Sequence, residues 1–300
     1  MRNYWQFLPK TIVPYLFLFP ALLVIGLTVF FPAFHAFYLS FTEYGYNLNE
    51  NPTWVGGKNF QQLFEDELFW KTLGNTVLYL LGVVPLLITL PLLLAILVNR
   101  KLKGIGFFRL SYYTPVIISM VVAGIAWNWL YAENGLLNQL GQWLLGSQSV
   151  PALFPIPWLT SPDWAIFSVM VVTLWKGLGY YMVIYLAGLQ GIPPDLYEAA
   201  ALDGSDGWQR HWDITIPLMR PYVVLVGVIS SISAMKVFEE VYIMTQGGPR
   251  NSSKTIVYYL YEQAFQNLNI SYACAIGLVL FLVILTLSIL RLIVVPQELD

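Results

Sequence analysis

An all-α polytopic membrane protein with six transmembrane helices is the fold class this sequence predicts, and three observations predict it. Hydrophobic side chains make up 57 % of the 300 residues, charged ones only 11 %, and the mean hydropathy is +0.63. Soluble domains carry about a quarter charged residues. The few charges are also segregated, leaving six windows long enough for the roughly 20 apolar residues that a helix needs to cross hydrocarbon. Lys and Arg, finally, divide unequally between alternate connections, as expected of a spanning protein. The same composition excludes other classes. A net charge of −2 provides no basic face for nucleic acid. One cysteine, Cys274, and two histidines, His35 and His211, rule out a disulfide scaffold and leave little for metal or thiol chemistry.

The windows follow in order. Residues 11–42 hold no charge, a run too long for a signal-peptide core and without a small-residue cleavage site, so it reads as a retained span. Residues 72–99 are charge-free, with Pro85 and Pro91 inside; residues 110–132 form the third window. Residues 164–189 are broken only by Lys176, residues 221–244 contain Lys236, Glu239 and Glu240, and residues 263–290 are again uncharged. The spans expected from these windows are about 12–40, 73–98, 110–131, 164–189, 221–244 and 268–294, forming one membrane domain, 11–300, after a cytoplasmic tail, 1–10. The uncharged stretch 134–162 is interrupted by Gly and Pro and reads as an extracytoplasmic loop, with Trp143 and Trp158 as interfacial belt residues.

Orientation rests on Lys and Arg. With the N-terminus inside, the cytoplasmic segments hold Arg2, Lys10, Arg100, Lys101, Lys103, Arg109, Arg210, Arg220 and Arg291. The outer loops hold Lys58, Lys71, Arg250 and Lys254. Nine against four places both termini in the cytoplasm.

The most informative loop is cytoplasmic, a hairpin at 193–217 between spans four and five, within the stretch 192–221, IPPDLYEAAALDGSDGWQRHWDITIPLMRP. Pro193 and Pro194 stop the span. Asp195 with Glu198 three residues on forms a capping-box arrangement that starts a short helix. Ala199, Ala200 and Ala201 smooth its surface, and Gly204 ends it. Ser205 then caps a second short helix through Trp208 to Trp212. On the residues alone this is either a hairpin that docks on another protein or a tidy loop with a turn glycine.

The stretch EAAALDGSDGWQRHWDITIPLMRP resembles the EAA loop of membrane subunits of binding-protein-dependent ABC importers. Glu198, Ala199, Ala200, Asp203, Gly204, Ile214 and Pro217 match that pattern, with Ile216 where the family usually has Leu; Arg210 is also a common family residue. WVGGKNFQQLFEDELFWKTLGNT and YIMTQGGPRNSSKTIVYYLYEQAF are similar to the carbohydrate branch, the maltose- and glycerol-phosphate-transporter type. The resemblance implies the fold of a type I ABC importer transmembrane domain in the inner membrane of a prokaryote. It also implies a homologous second permease subunit, two ATPase subunits docking on the EAA hairpin, and an extracytoplasmic solute-binding protein meeting Gly247, Gly248 and Pro249. No G-x-x-x-x-G-K-[ST] run occurs, so hydrolysis falls to the partners, which would bind ATP and Mg. The chain is thus expected to be non-catalytic and to hold no cofactor or metal of its own. The implied substrate is a mono- or disaccharide, a glycoside or a compatible solute, with a phosphorylated polyol also open.

Ionisable groups inside spans are functional candidates. Trp127, Asn128, Trp175, Lys176, Tyr180, Tyr181, Ser230, Ser231, Ser233, Lys236 and Glu239 offer aromatic faces and hydrogen-bonding groups for a translocation path. Against this, Lys236 at i,i+3 to Glu239 and i,i+4 to Glu240 could neutralise itself along one helix, and Lys176 could simply reach a neighbouring carbonyl. The alternative function is an ion-gradient-driven carrier using Lys176, Lys236 and Glu239.

Overall fold

The computed structural model describes residues 13–44, 51–100, 102–145 and 155–294, so the expected tail 1–10 and the extreme C-terminus lie outside the described residues. In chain order the helices are α1 (Val13–Ile25), α2 (Phe31–Leu39), α3 (Lys58–Glu65), α4 (Glu67–Val98), α5 (Ile105–Ile117), α6 (Met120–Leu130) and α7 (Leu136–Leu145). They continue with α8 (Ala165–Gln190), α9 (Pro194–Leu202), α10 (Ile216–Leu218), α11 (Arg220–Met235), α12 (Glu239–Met244), α13 (Ile256–Tyr261) and α14 (Ile270–Val294). Two short strands, β1 (Thr42–Glu43) and β2 (Thr53–Trp54), pair antiparallel with Thr42 opposite Trp54. Four helices or joined helices are long and apolar enough to cross a membrane, Pro14–Leu39, Glu67–Val98, Ala165–Gln190 and Ile270–Ile289; counting each of two bent pairs, Ile105–Ile117 with Met120–Leu130 and His211–Leu218 with Arg220–Met235, as one span brings the number to six.

The residues fall into two compact units, Met1–Glu65 with Leu260–Val279, and Asp66–Tyr259 with Leu280–Asp300. In the first, α1 and α2 join through a five-residue π turn, Gly26–Phe30, inside one long apolar rod. None of the rod's most apolar stretch is buried, which suits lipid or another subunit rather than water. The β1–β2 ribbon and α3 are fastened by Asn59, whose Nδ2 donates to the carbonyls of Ser40 at 2.9 Å and Thr42 at 2.8 Å.

The second unit is built on α4 and α8, which pack along their length. Asp66 starts α4 as its N-cap, Oδ1 accepting from the Leu68 amide at 2.8 Å. Tyr79, Val83 and Leu87 from α4 meet Val169, Val172, Met182 and Tyr185 from α8 in the buried core, and α11 lies against α4.

Two expected spans prove to be broken. Span three, 110–131, is not one rod: α5 and α6 meet at 99°. Pro115 removes an amide from the last turn of α5, and Ser119 restarts the chain as N-cap of α6 with extended backbone. Span five, 221–244, breaks at 236–238, where Lys236 and Phe238 leave helical geometry. Consequently Lys236 does not share a helix with Glu239 and Glu240, and the i,i+4 self-neutralisation expected for them does not form; no ion pair joins Lys236 to either glutamate among the described residues. Trp158 packs within the protein: its Nε1 donates to Asn138 Oδ1 at 3.1 Å, and its ring meets those of Tyr131 and Trp164.

Close helix approach depends on a missing side chain. A Cβ at Gly179 of α8 would stand 2.1 Å from the carbonyl oxygen of Tyr112 in α5, a backbone atom that cannot swing aside. Gly179→Ala is therefore expected to lower the stability of the purified protein by about 1–3 kcal/mol through overpacking, read as a fall in its thermal unfolding midpoint in detergent. An unchanged midpoint would show that α5 yields without cost.

Candidate functional site

Around the two breaks the second unit encloses a cavity of about 490 Å³. Tyr79 contributes from α4, Val116 from α5, Thr173, Lys176, Tyr180 and Tyr181 from α8, Ser230 and Ser233 from α11, and Lys236, Glu239 and Glu240 from the α11–α12 break. Lys176, Tyr180, Ser233, Lys236 and Glu239, separated by up to sixty-odd positions in sequence, are thus brought together. Trp127, Asn128 and Trp175 are not in its lining. Trp127 and Trp175 stack edge to face at 5.6 Å, Trp127 also meets Tyr131, and the Asn128 amide donates to the Ile243 carbonyl at 3.4 Å. These three residues knit α6 to its neighbours. Ser231 turns away into a small separate cavity of about 70 Å³ with Ile284 and Ser288.

The breaks leave peptide carbonyls without helical partners, and side chains supply the donors. Lys176 Nζ donates to the Ile118 carbonyl at 2.7 Å, and Thr255 Oγ1 donates to the Val237 carbonyl at 3.0 Å. The carbonyl contact anticipated as the plain reading of Lys176 is therefore real, and Lys176 makes it while lining the cavity. Sequence reasoning missed the polar chain beside it. The hydroxyls of Tyr79 and Thr173 share a hydrogen bond, and Thr173 Oγ1 donates to Glu240 Oε1 at 3.4 Å. Nothing in an apolar window marks Tyr79 or Thr173, because their role comes from the crossing of α4, α8 and α12. Chemically, the cavity offers two ammonium groups, two carboxylates, serine hydroxyls and tyrosine rings, a set able to exchange hydrogen bonds with a polyhydroxylated solute.

The second candidate region is the hairpin. Helix α9 begins at Pro194, so Asp195 lies in its first turn and not at the cap, and no capping box forms; Pro193 occupies the cap without a side-chain bond. At the other end Gly204 has φ +85°. The Ser205 amide donates to the Ala200 carbonyl at 2.9 Å and the Gly204 amide to that of Ala201 at 3.2 Å, which is a Schellman closure. Ser205 caps no helix; its hydroxyl donates to Asp213 Oδ2 at 2.6 Å, and the return strand of the hairpin is a π turn, His211–Thr215. Arg210 lies over the Tyr197 ring at 5.3 Å, Tyr197 and His211 both hydrogen-bond Thr215, and these residues with Glu198 and Arg100 surround a cavity of about 540 Å³. Burial and the positive charges of Arg210 and Arg100 hold the His211 imidazole below its ordinary pKa. Ala200 faces inward, whereas Glu198, Ala199, Asp203 and Gly204 face out; Ile214 and Pro217 are half-buried where the chain returns. Leu202 at the tip is 90 % exposed, with Trp208 and Trp212 exposed nearby.

The loop after α12 is firmly built. Gly247 has φ +76° and is buried against Lys254, and the Gly248–Pro249 peptide is cis. Ser253 Oγ donates to the Gly248 carbonyl at 2.6 Å, while Lys71 Nζ and Asn75 Nδ2 from α4 donate to the carbonyls of Arg250 and Asn251.

Removing the donor at the first break should be costly. Lys176→Met keeps length but leaves the Ile118 carbonyl unpaired, and a loss of about 1–3 kcal/mol is expected, measured by thermal unfolding of the purified protein. Wild-type stability would show that the carbonyl finds another donor.

Residues 68–297 match the family described as "Binding-protein-dependent transport system inner membrane component". The chain is 36 % identical over 284 residues to a probable ABC transporter permease protein, YurN, of Bacillus subtilis (strain 168), covering 94 % of this chain and 95 % of that one. It is 34 % identical over 284 residues to the lactose transport system permease protein LacF of Rhizobium radiobacter, covering 92 % of each. A bacterial alginate ABC transporter, crystallised in complex with an alginate pentasaccharide-bound periplasmic protein, contains a chain of the same fold. The TM-score is 0.80 at 24 % identity, over 97 % of this chain and 96 % of that one. None of these matches supports the ion-gradient carrier.

Proposed function

We take as premise that this chain belongs to the family of binding-protein-dependent transport system inner membrane components, and we propose that it carries a sugar or sugar-like solute inward as one of two homologous membrane subunits of an ABC importer. An extracytoplasmic binding protein delivers the solute near the Gly247–Pro249 loop. Two ATPase subunits bind ATP and Mg and grip the hairpin 195–217. The chain itself catalyses nothing. Carbohydrate is favoured because the relatives' names specify lactose and alginate and because the cavity is rich in hydroxyl and carboxylate partners.

The observation that carries the coupling role is the hairpin's surface. Leu202 stands almost fully exposed on a helix whose Ala200 is buried, and Trp208 and Trp212 on the return segment are exposed too. Large apolar side chains left in water mark a contact surface. The hairpin is also short and braced. Only Gly191 and Ile192 separate α8 from Pro193, and the return segment His211–Leu218 meets α11 at Met219 with a 55° bend, so a push on the hairpin reaches the two helices that line the cavity.

Two experiments test this. Gly204→Asp puts a side chain at φ +85°, and Glu198→Lys reverses the charge beside Ala199. Both should abolish uptake while the protein still inserts, either because the ATPase subunits no longer co-purify or because hydrolysis no longer responds to loaded binding protein. Normal uptake and stimulated hydrolysis in both variants would leave the hairpin a plain loop. For orientation, in a Cys274→Ala background Asp206→Cys should react with an impermeant maleimide only from the cytoplasm and Glu65→Cys only from outside. Reaction of both from one side would overturn the topology.

A further inference from the structure

The first unit contains a cavity of about 860 Å³ that the translocation path of the second unit does not include. Its walls come from two segments some two hundred residues apart, the β1–β2–α3 region and the turn 262–269 before α14. Buried groups hold these walls in place. Asn59 spends its amide on the Ser40 and Thr42 carbonyls, Thr42 and Ser271 share a hydrogen bond at 3.2 Å, and the Ser271 amide donates to the Tyr44 carbonyl at 3.1 Å. The turn is held by its backbone: the Asn267 amide donates to the Glu262 carbonyl, the Asn269 amide to that of Gln263, and Leu268 adopts φ +53° between them.

On this braced frame stand Gln62, Gln263, Gln266, Asn267 and Asn269, whose side-chain amides make no hydrogen bond among the described residues. Glu43 and Lys58, also in the wall, neutralise each other at 3.1 Å. The lining is therefore polar, uncharged in sum and bidentate, each amide offering both a donor and an acceptor. An anion would find no unpaired cation there among the described residues, and an apolar ligand would meet only Leu268 and the Tyr44 ring. Vicinal hydroxyls present the complementary alternation of donor and acceptor, and the volume lies within the range of small-molecule sites.

We infer that this cavity is a carbohydrate-binding vestibule, distinct from the cavity at the helix breaks, which takes up a neutral mono- or oligosaccharide on its way into the membrane. The inference rests on the sugar-importer reading and on the topology above, which places the connection after span one and the turn before span six outside the membrane. A weak, solvent-open site of amides suits a solute that must be held briefly and released.

The test uses the complete importer with its binding protein in proteoliposomes and a panel of radiolabelled neutral mono- and disaccharides that includes lactose. In the double variant Gln62→Ala, Gln266→Ala, the sugar concentration giving half-maximal uptake should rise roughly tenfold, as two lost hydrogen bonds imply. Basal ATP hydrolysis and capture of the binding protein should stay at wild-type levels. Wild-type uptake kinetics in the double variant would overturn the vestibule and leave the sugar reading standing. Lost capture of the binding protein would overturn it as well, making the amides a docking surface. Import of none of the sugars by the wild-type complex would instead overturn the sugar reading on which the vestibule depends.

Discussion

In hydrocarbon no water replaces a lost peptide hydrogen bond, so a spanning helix can break only where the protein supplies the missing partner. That constraint organises the larger unit. Both of its broken spans are satisfied by a side chain from another segment, Lys176 at the Ile118 carbonyl and Thr255 at the Val237 carbonyl. Each donor fixes a bend, and the bends open the space that Tyr180, Ser233, Lys236 and Glu239 line. An ammonium is a good choice for the first, since charge-assisted hydrogen bonds are roughly twice as strong as neutral ones. Lys176 lines the cavity as well, so the bend and part of the cavity's wall depend on one side chain.

The path from hairpin to cavity is equally short. Helix α8 carries Thr173, Lys176, Tyr180 and Tyr181 and ends just before the hairpin; α11 carries Ser230 and Ser233 and begins just after it. Displacement of α9 must therefore shift the two walls against each other or strain the π turn His211–Thr215, which Tyr197 and His211 brace through Thr215. Close backbone approach at Gly179 ties α5 to the same motion. The proposed coupling needs such continuity, because on that reading the energy arrives from outside the chain.

Much of this was legible in the sequence, for identifiable reasons. Charge-poor windows overlap the four helices apolar enough to cross a membrane and the two bent pairs, since the cost of burying charge in lipid acts on composition alone. Gly204 was legible as a helix terminator because its positive φ is a local requirement. The bends at Ile118 and Lys236 were not legible: a window average cannot register a break whose freed carbonyls are paired by residues 58 and 18 positions away. The same non-locality hid Tyr79 and Thr173, and made Trp127, Asn128 and Trp175 look like a binding surface when their partners are one another, Tyr131 and Ile243. Asp195 and Ser205 misled through a motif match that geometry declined, since the helix is capped two residues earlier at Pro193 and the Ser205 hydroxyl goes to Asp213.

Leu202 tests the central claim most directly, because in the chain alone it is 90 % exposed at the hairpin tip. With Cys274→Ala removing the native thiol, the reaction rate of Leu202→Cys with a water-soluble maleimide can be compared in the isolated subunit and in the importer assembled with its ATPase subunits. The account predicts fast labelling in the isolated subunit and strong protection on assembly. Equal labelling in both states, with the ATPase subunits demonstrably bound, would contradict it.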